Sequence, residues 1–185
     1  MILNDADIRP SLIQFLSSKA IKPKRIIEEL HVHRGNAIAD VVTIHSEAHC
    51  YEIKGDQDKI DRLFRQAQFY NKAFNKITLV TTERKLKEAL KKTQDFWGII
   101  VAYPSETGIR FRHVRKAKNS PSFNKELALA TLWKKELSDI NSEYQLDIPE
   151  KLNKREIATE ISEKLNKSQI KRSIAKSLAL RISYQ

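Results

Sequence analysis

Residues 51–82, YEIKGDQDKIDRLFRQAQFYNKAFNKITLVTT, carry the pattern that decides the fold. The segment starts as a strand that ends near Lys54, continues with a helical apolar period from Asp58 to Phe74, and ends in the short apolar run at 76–82. A strand, a helix and a second strand in this order form a crossover unit. Residues 77–80 are therefore predicted to pair in parallel with the first strand, through a right-handed connection.

Segments on both sides extend this unit into an α/β domain. Asn4 or Asp5 is predicted to cap a helix that runs to about Ser18. Residues 25–56 are typical of successive strands. Further along the chain, the patterns predict a helix at 83–92 capped by Thr82, and strands at 97–103 and 108–114.

The pattern after Pro121 is purely helical. It predicts one helix over 123–140, a second that starts with the capping-box pair Asn153 and Glu156, and a third capped by Ser168. We therefore predict a core at 1–120 and a basic helical extension at 121–185. This extension is either a helical hairpin that packs on the core or a module that holds DNA, and the sequence favours neither.

The charge balance points to a polyanionic partner. The net charge is +11 and the isoelectric point is about 9.7, so nucleic acid is the first partner to expect. The chain has no secretory leader and no apolar run long enough to span a bilayer, which predicts a cytoplasmic protein that does not bind membranes. The single cysteine, Cys50, excludes an internal disulfide.

Acidic and basic side chains converge around the end of the first strand. Glu52 and Lys54 share one face of this strand, while Ile53 points into the core. A hairpin whose turn is centred on Glu47 would put Asp40 across from Lys54 and diagonal to Glu52, whereas a shift of half a residue would send Asp40 to the other face. Packed carboxylates suit a hard divalent ion, and Mg²⁺ also accepts phosphate oxygens. This chemistry is that of phosphodiester hydrolysis.

These residues resemble a known nuclease superfamily. Asp40, the E-I-K at 52–54 and the Q-A-Q-F-Y at 66–70 are similar to the motifs of the PD-(D/E)XK nucleases and of the branch that carries a QxxxY motif. The wider run 25–100 is similar to a small family of bacterial and phage proteins placed in that superfamily. In this chain Ala39 stands before Asp40, where proline is common.

The resemblance implies a restriction-endonuclease-like mixed sheet flanked by helices, and a Mg²⁺ or Mn²⁺ ion at the site. Asp40 and Glu52 would hold the ion, with help from the carbonyl of Ile53 and from an upstream acid, for which we favour Glu29 over Glu28. Lys54 would position the attacking water.

The resemblance also assigns roles outside the metal ligands. Gln66 and Tyr70, four residues apart on one helical face beside Arg62, would brace the site or touch the substrate. The expected function is a metal-dependent deoxyribonuclease, with a homodimer as one form. The alternatives are an inactive protein of nuclease fold that binds nucleic acid, or a protein-interaction module. The side chains expected to contact nucleic acid are Arg62, Arg110, Arg112, Lys171 and Arg172.

Overall fold

One six-stranded sheet organises the protein. The computed structural model describes residues 2–60 and 63–181, without the side chains of Arg34 and Phe64. The strands are adjacent in chain order, and β3–β4 and β4–β5 are parallel while the other pairs are antiparallel. Their bounds are β1 Arg25–Val32, β2 Ala37–Ile44, β3 Ala48–Lys54, β4 Lys76–Thr82, β5 Gly98–Ser105 and β6 Gly108–Arg115. The predicted parallel pairing around residues 51–82 is confirmed.

Helices cover both faces of this sheet. The bounds are α1 Asp5–Ser17, α2 Leu63–Ala73, α3 Leu86–Lys92, α4 Lys125–Leu129, α5 Lys134–Tyr144, α6 Lys154–Lys164 and α7 Lys167–Leu180. The apolar side chains of α1 pack with one set of strand residues, and those of α2 to α7 pack with the other set. The predicted α/β class, a mixed sheet flanked by helices with further helices at the C-terminus, is therefore confirmed.

The structure corrects two predicted helix starts in the core. The described part of α2 starts at Leu63, and Asp58 lies before the helix, where its carboxylate accepts a hydrogen bond from the backbone N–H of Gly55 at 2.8 Å and closes the turn after β3. Thr82 precedes a 3-10 turn at Glu83–Lys85 but does not cap it with its side chain. Its hydroxyl donates to Asp56 instead, at 2.6 Å.

The C-terminal helices differ from the prediction at one break. The segment 123–140 is not a single helix, since α4 ends at Leu129 and α5 starts at Lys134. The restart is stabilised by Glu136, whose carboxylate accepts from the backbone N–H of Trp133 at 2.6 Å. A free backbone donor at a helix start needs such a partner.

Asparagine side chains cap the last two helices. Asn153 and Glu156 form the predicted capping box of α6. The cap of α7 is Asn166, not Ser168, because the Asn166 side chain accepts from the backbone N–H of Gln169. This reciprocal pair satisfies two donors at once, which favours the earlier start.

The helical extension shares its buried cluster with the sheet. Apolar side chains from β1 to β5 and from α4 to α7 belong to one continuous set, which runs from Leu30 to Leu178. The boundary at residue 120 stays a prediction. Within the ranges given above, no helix is both long enough and apolar enough to cross a bilayer.

Candidate active site

The hairpin register decides where Asp40 lies. β2 and β3 pair Val41 with Tyr51 and Ile44 with Ala48, so the turn is centred on Ser46. By this count Asp40 is opposite Glu52, and the predicted position opposite Lys54 is wrong by two residues along β3. Because an even shift keeps the alternation of the strand, Asp40 still neighbours Glu52.

Asp40 ends the ladder between these strands. Its Oδ2 accepts a hydrogen bond from the backbone N–H of Ile53 at 2.7 Å, while the last paired residues are Val41 and Tyr51. The side chain therefore takes the position that a backbone carbonyl would otherwise fill. Burial raises the pKa of Asp40, although the Ile53 N–H and Lys54 act to lower it.

An unusual backbone conformation places Glu29 beside Asp40. β1 and β2 pair Glu28 with Val41 and Leu30 with Ala39, which leaves Glu29 between them at the level of Asp40. Glu29 has φ +51°, a left-handed conformation that costs roughly 1–2 kcal/mol for a residue with a side chain. Its side chain is 70% exposed.

Arg9 joins these two acids from α1. Its guanidinium lies 3.2 Å from Oε1 of Glu29 and 3.4 Å from Oδ1 of Asp40, and it also pairs with Asp5 at 2.7 Å. Burial alone would lower the pKa of Arg9. The pKa is raised nevertheless, because Asp5 accepts a hydrogen bond from Arg9 and the negative charges of Asp5, Asp40 and Glu29 attract the guanidinium. Sequence reasoning missed Arg9, because the Asp5–Arg9 spacing alone is that of an ordinary surface ion pair on a helix.

Glu52 is the most buried charged group of the site. Its side chain is 0% exposed, and its Oε1 accepts from Nζ of Lys54 at 2.5 Å. Its Oε2 has no hydrogen-bond partner in the described part of the chain. Burial and the charge of Asp40 raise the pKa of Glu52 to about 7, against the opposing effects of Lys54 and of the nearby Tyr70 hydroxyl.

Lys54 remains a cation in this setting. Burial works to lower its pKa, but the attraction of Glu52 and of Asp40 outweighs burial, and the pKa is raised. Its ammonium also donates to the carbonyl of Ile53 at 3.2 Å. Lys54 thus contacts two of the predicted metal ligands.

The Gln66 and Tyr70 pair braces the site from α2. Tyr70 is fully buried, and its hydroxyl donates to the carbonyl of Ile38 in β2 at 2.6 Å. Gln66 donates to the same hydroxyl at 3.3 Å. Burial and the nearby charge of Glu52 raise the pKa of Tyr70. The Tyr70 hydroxyl has a single proton, which goes to Ile38, so Tyr70 holds β2 against α2 two residues from Asp40.

The turn after β3 fastens α1 to the site. Asp56 accepts a hydrogen bond from the backbone N–H of Leu3 at 2.9 Å and donates its own N–H to the Leu3 carbonyl at 2.8 Å. A Cβ atom at Gly55 would lie 2.5 Å from that carbonyl oxygen, so only glycine allows this close approach. The contact fixes the start of α1, and with it Arg9, over Asp40.

The predicted nucleic-acid contacts lie away from Asp40. Arg110 and Arg112 are exposed on β6, which is four strands from β2, or about 19 Å at the usual strand spacing. Arg112 pairs with Glu83 at 2.7 Å. On α7, Lys171 pairs with Glu47 at 3.1 Å and Arg172 is exposed. Arg62 lies outside the described residues.

The residues at this site would suit Mg²⁺, which needs few protein ligands, better than a metal ion that is coordinated entirely by side chains. Over 2–60 and 63–181, no group of three or more His, Cys, Asp and Glu side chains is arranged to hold an ion. Mg²⁺ is commonly held by only one or two carboxylates, with waters and phosphate oxygens as further ligands. Asp40 and Glu52, which lie opposite each other on adjacent strands, are two carboxylates of this kind.

The sequence matches the model of a known protein family over nearly its whole length. Residues 2–185 match the model described as Bacteriophage P4 protein cII. The chain belongs to this family. Protein cII of Enterobacteria phage P4 is 25% identical over 154 residues, which are 83% of this chain and 58% of the relative. The chain thus spans a little over half the length of that curated relative. No solved structure matches this chain.

Proposed function

We propose that this member of the cII family is a metal-dependent nuclease that hydrolyses phosphodiester bonds of DNA, in the cytoplasm. One observation carries the proposal: Glu52 is a completely buried carboxylate with one oxygen on Lys54 and the other without a hydrogen-bond partner among the described residues. An unsatisfied buried acceptor costs about 1–3 kcal/mol. A cation that binds there would offset this cost, and Asp40 on the neighbouring strand would share it.

Asp40, Glu52 and the carbonyl of Ile53 would hold Mg²⁺ or Mn²⁺ in this proposal. The ion supplies polarisation of the phosphate and a bound water of lowered pKa. Glu29 is a further acid at this level of the sheet; its exposed side chain pairs with Arg9 at 3.2 Å and would leave Arg9 to reach the ion.

Lys54 acts by charge and hydrogen bonding rather than as a base. Its raised pKa keeps the ammonium protonated at neutral pH. A protonated amine next to the ligands can orient an attacking water by donating to its oxygen and can offset negative charge on the phosphate. Tyr70 and Gln66 are positioning residues, because they hold β2 and α2 together beside these groups.

Cleavage of a supercoiled plasmid and of an end-labelled oligonucleotide tests the proposal. Each DNA is incubated with the protein in MgCl₂, in MnCl₂ and in EDTA. We expect nicking or degradation with either metal and none in EDTA, and loss of activity in Glu52→Gln and Lys54→Ala. The control Lys87→Ala removes an exposed lysine of α3 and retains activity. An absence of cleavage with both metals, or cleavage that survives in Glu52→Gln, would contradict the proposal.

Arg9 favours a second candidate function. Its guanidinium already pairs with Asp40 and Glu29, so the acids are satisfied by protein alone. A protein that keeps the fold but binds nucleic acid without cutting it would have this arrangement. Salt-dependent DNA binding without metal-dependent cleavage would support that candidate, and no DNA binding at low salt would favour a protein-interaction module.

A further inference from the structure

A cavity lined by several basic side chains lies at the other end of the sheet from Lys54. Its volume is about 380 Å³, within the range of ligand pockets. Its polar lining includes His45, His49, Lys76, Thr78, His113 and Lys116. His49 and Lys76 are the first paired residues of β3 and β4. Glu52 and Lys54 lie toward the C-terminal end of β3.

The cavity opens on the face that α1 covers in part. Tyr51 and Ile100 also line it, and both belong to the apolar cluster that packs under α1. Glu52 alternates with Tyr51 along β3 and therefore points to the opposite face. The cavity and the Asp40–Glu52 site share no residue.

Two lysines of the cavity have no acidic partner among the described residues. Lys76 donates to the carbonyl of Ala117 at 3.3 Å, and Lys116 is exposed. In the part of the chain that the structure describes, neither forms an ion pair. The acid in the wall, Glu47, is engaged by Lys171 at 3.1 Å and by Asn75 at 2.8 Å. The wall therefore carries an uncompensated positive charge.

The histidines report the same positive potential. Burial, with the charge of Lys76 and the neighbouring His45 and His113 rings, lowers the pKa of His49 to about 3. Burial, Lys19 and Lys116 lower the pKa of His113. His49 therefore stays neutral, and its ring forms part of the cavity wall, where a 2.8 Å hydrogen bond with the Thr78 hydroxyl holds it.

We propose that this cavity binds phosphate groups of a nucleic-acid strand through Lys76 and Lys116. Unpaired lysines with hydroxyl and imidazole groups at their side match the charge and the hydrogen-bonding capacity of a phosphodiester. The net charge of +11 favours a polyanion over a single small anion, since each added phosphate gains from the whole field. Arg115, also in the wall, is held by Trp97 and Thr93 and serves the fold.

Fluorescence anisotropy with a short labelled single-stranded DNA tests the site. The titrations are made in EDTA at several salt concentrations, so that neither metal nor cleavage contributes. The test variant is Lys76→Gln with Lys116→Gln. The matched control is Lys87→Gln with Lys91→Gln, which removes the same charge from exposed positions of α3. Lys116→Gln alone is the variant that disturbs no contact of the fold.

We expect the test pair to weaken binding about tenfold and to reduce the slope of log affinity against log salt by about 1.4, since a single strand contributes about 0.7 for each phosphate contact. Lys116→Gln alone gives about half of that slope change, and the control pair gives little. An equal loss in both double variants would overturn the proposal, because it would reflect overall charge. Lysine-dependent binding of inorganic phosphate without a difference for the oligonucleotide would overturn the assignment to nucleic acid. Because the titrations in EDTA involve neither metal nor cleavage, failure here is distinguishable from failure of the nuclease proposal.

Discussion

The Asp40 carboxylate accepts a 2.7 Å hydrogen bond from the backbone N–H of Ile53, directly beyond the last paired residues of β2 and β3. One oxygen thus belongs to the sheet, and the other faces Arg9 at 3.4 Å. The same side chain has a structural contact and a contact that a metal could replace.

Asp40 variants separate these two contacts. We expect Asp40→Ala to lower the free energy of unfolding by about 2 kcal/mol, because a buried N–H loses its acceptor. Asp40→Asn retains an acceptor for Ile53 and should be destabilised much less, while metal binding falls in both. Urea unfolding measures the first effect and Mn²⁺ titration the second. Equal destabilisation by Ala and Asn would show that the charge, not the hydrogen bond, holds the strands.

Glu52 should make stability depend on pH. Its pKa in the folded protein is about 7, against an ordinary value of 4.5, so the native state binds more protons than the unfolded state between these values. Stability from this group is therefore present below about pH 4.5 and is lost as the pH rises through 7. The effect is on the order of 3 kcal/mol, since one pKa unit corresponds to about 1.4 kcal/mol.

Urea unfolding of wild type and Glu52→Gln from pH 5 to 8, in EDTA, measures this dependence. The wild type should lose stability over the range relative to Glu52→Gln, whose amide does not titrate. Parallel curves for the two proteins would mean that Glu52 keeps an ordinary pKa.

Arg9 should compete with a divalent ion for Asp40. The charge of Arg9, a few ångströms from the Asp40 carboxylate, opposes a bound divalent ion. At the dielectric constant of water, its removal should strengthen ion binding by about 1 kcal/mol, which is roughly fivefold in affinity. We expect Arg9→Gln to bind Mn²⁺ about fivefold more tightly in isothermal titration. Arg172→Gln, exposed on α7, removes the same charge far from the site and sets the baseline. Weaker binding in Arg9→Gln would identify Arg9 as a support of the ligands instead.

Tyr70 should contribute through its hydroxyl. Tyr70→Phe removes the donor to the Ile38 carbonyl, and we expect a loss of about 1–2 kcal/mol in unfolding free energy with a reduced rate of cleavage. Tyr103→Phe alters a half-exposed tyrosine of β5 and should change neither. A Tyr70→Phe protein of full stability would mean that the Ile38 carbonyl finds another donor.

The order of elements in the core could be read from the sequence, because local periodicity and the crossover rule need no long-range information. The same holds for the capping box at Asn153, where the side chain bonds within one turn, whereas the choice of Asn4 over Asp5 as the first N-cap came from the structure. The neighbourhood of Asp40, Glu52 and Lys54 was predicted with the wrong partner for Asp40. A turn centred one residue earlier than expected moved the opposite position from Lys54 to Glu52.

The sequence by itself determined that a carboxylate and an amine, Glu52 and Lys54, share one face of a strand, because strand alternation follows from backbone geometry alone. The register that put Asp40 opposite Glu52 came from the structure. Only the tertiary structure decided how these charges are satisfied. Arg9 reaches Asp40 because the contact between Leu3 and Asp56 docks α1 over β2 and β3, and Glu52 is fully buried because the sheet and α2 close around it. Both outcomes rest on contacts between residues far apart in the chain, which local pattern does not contain.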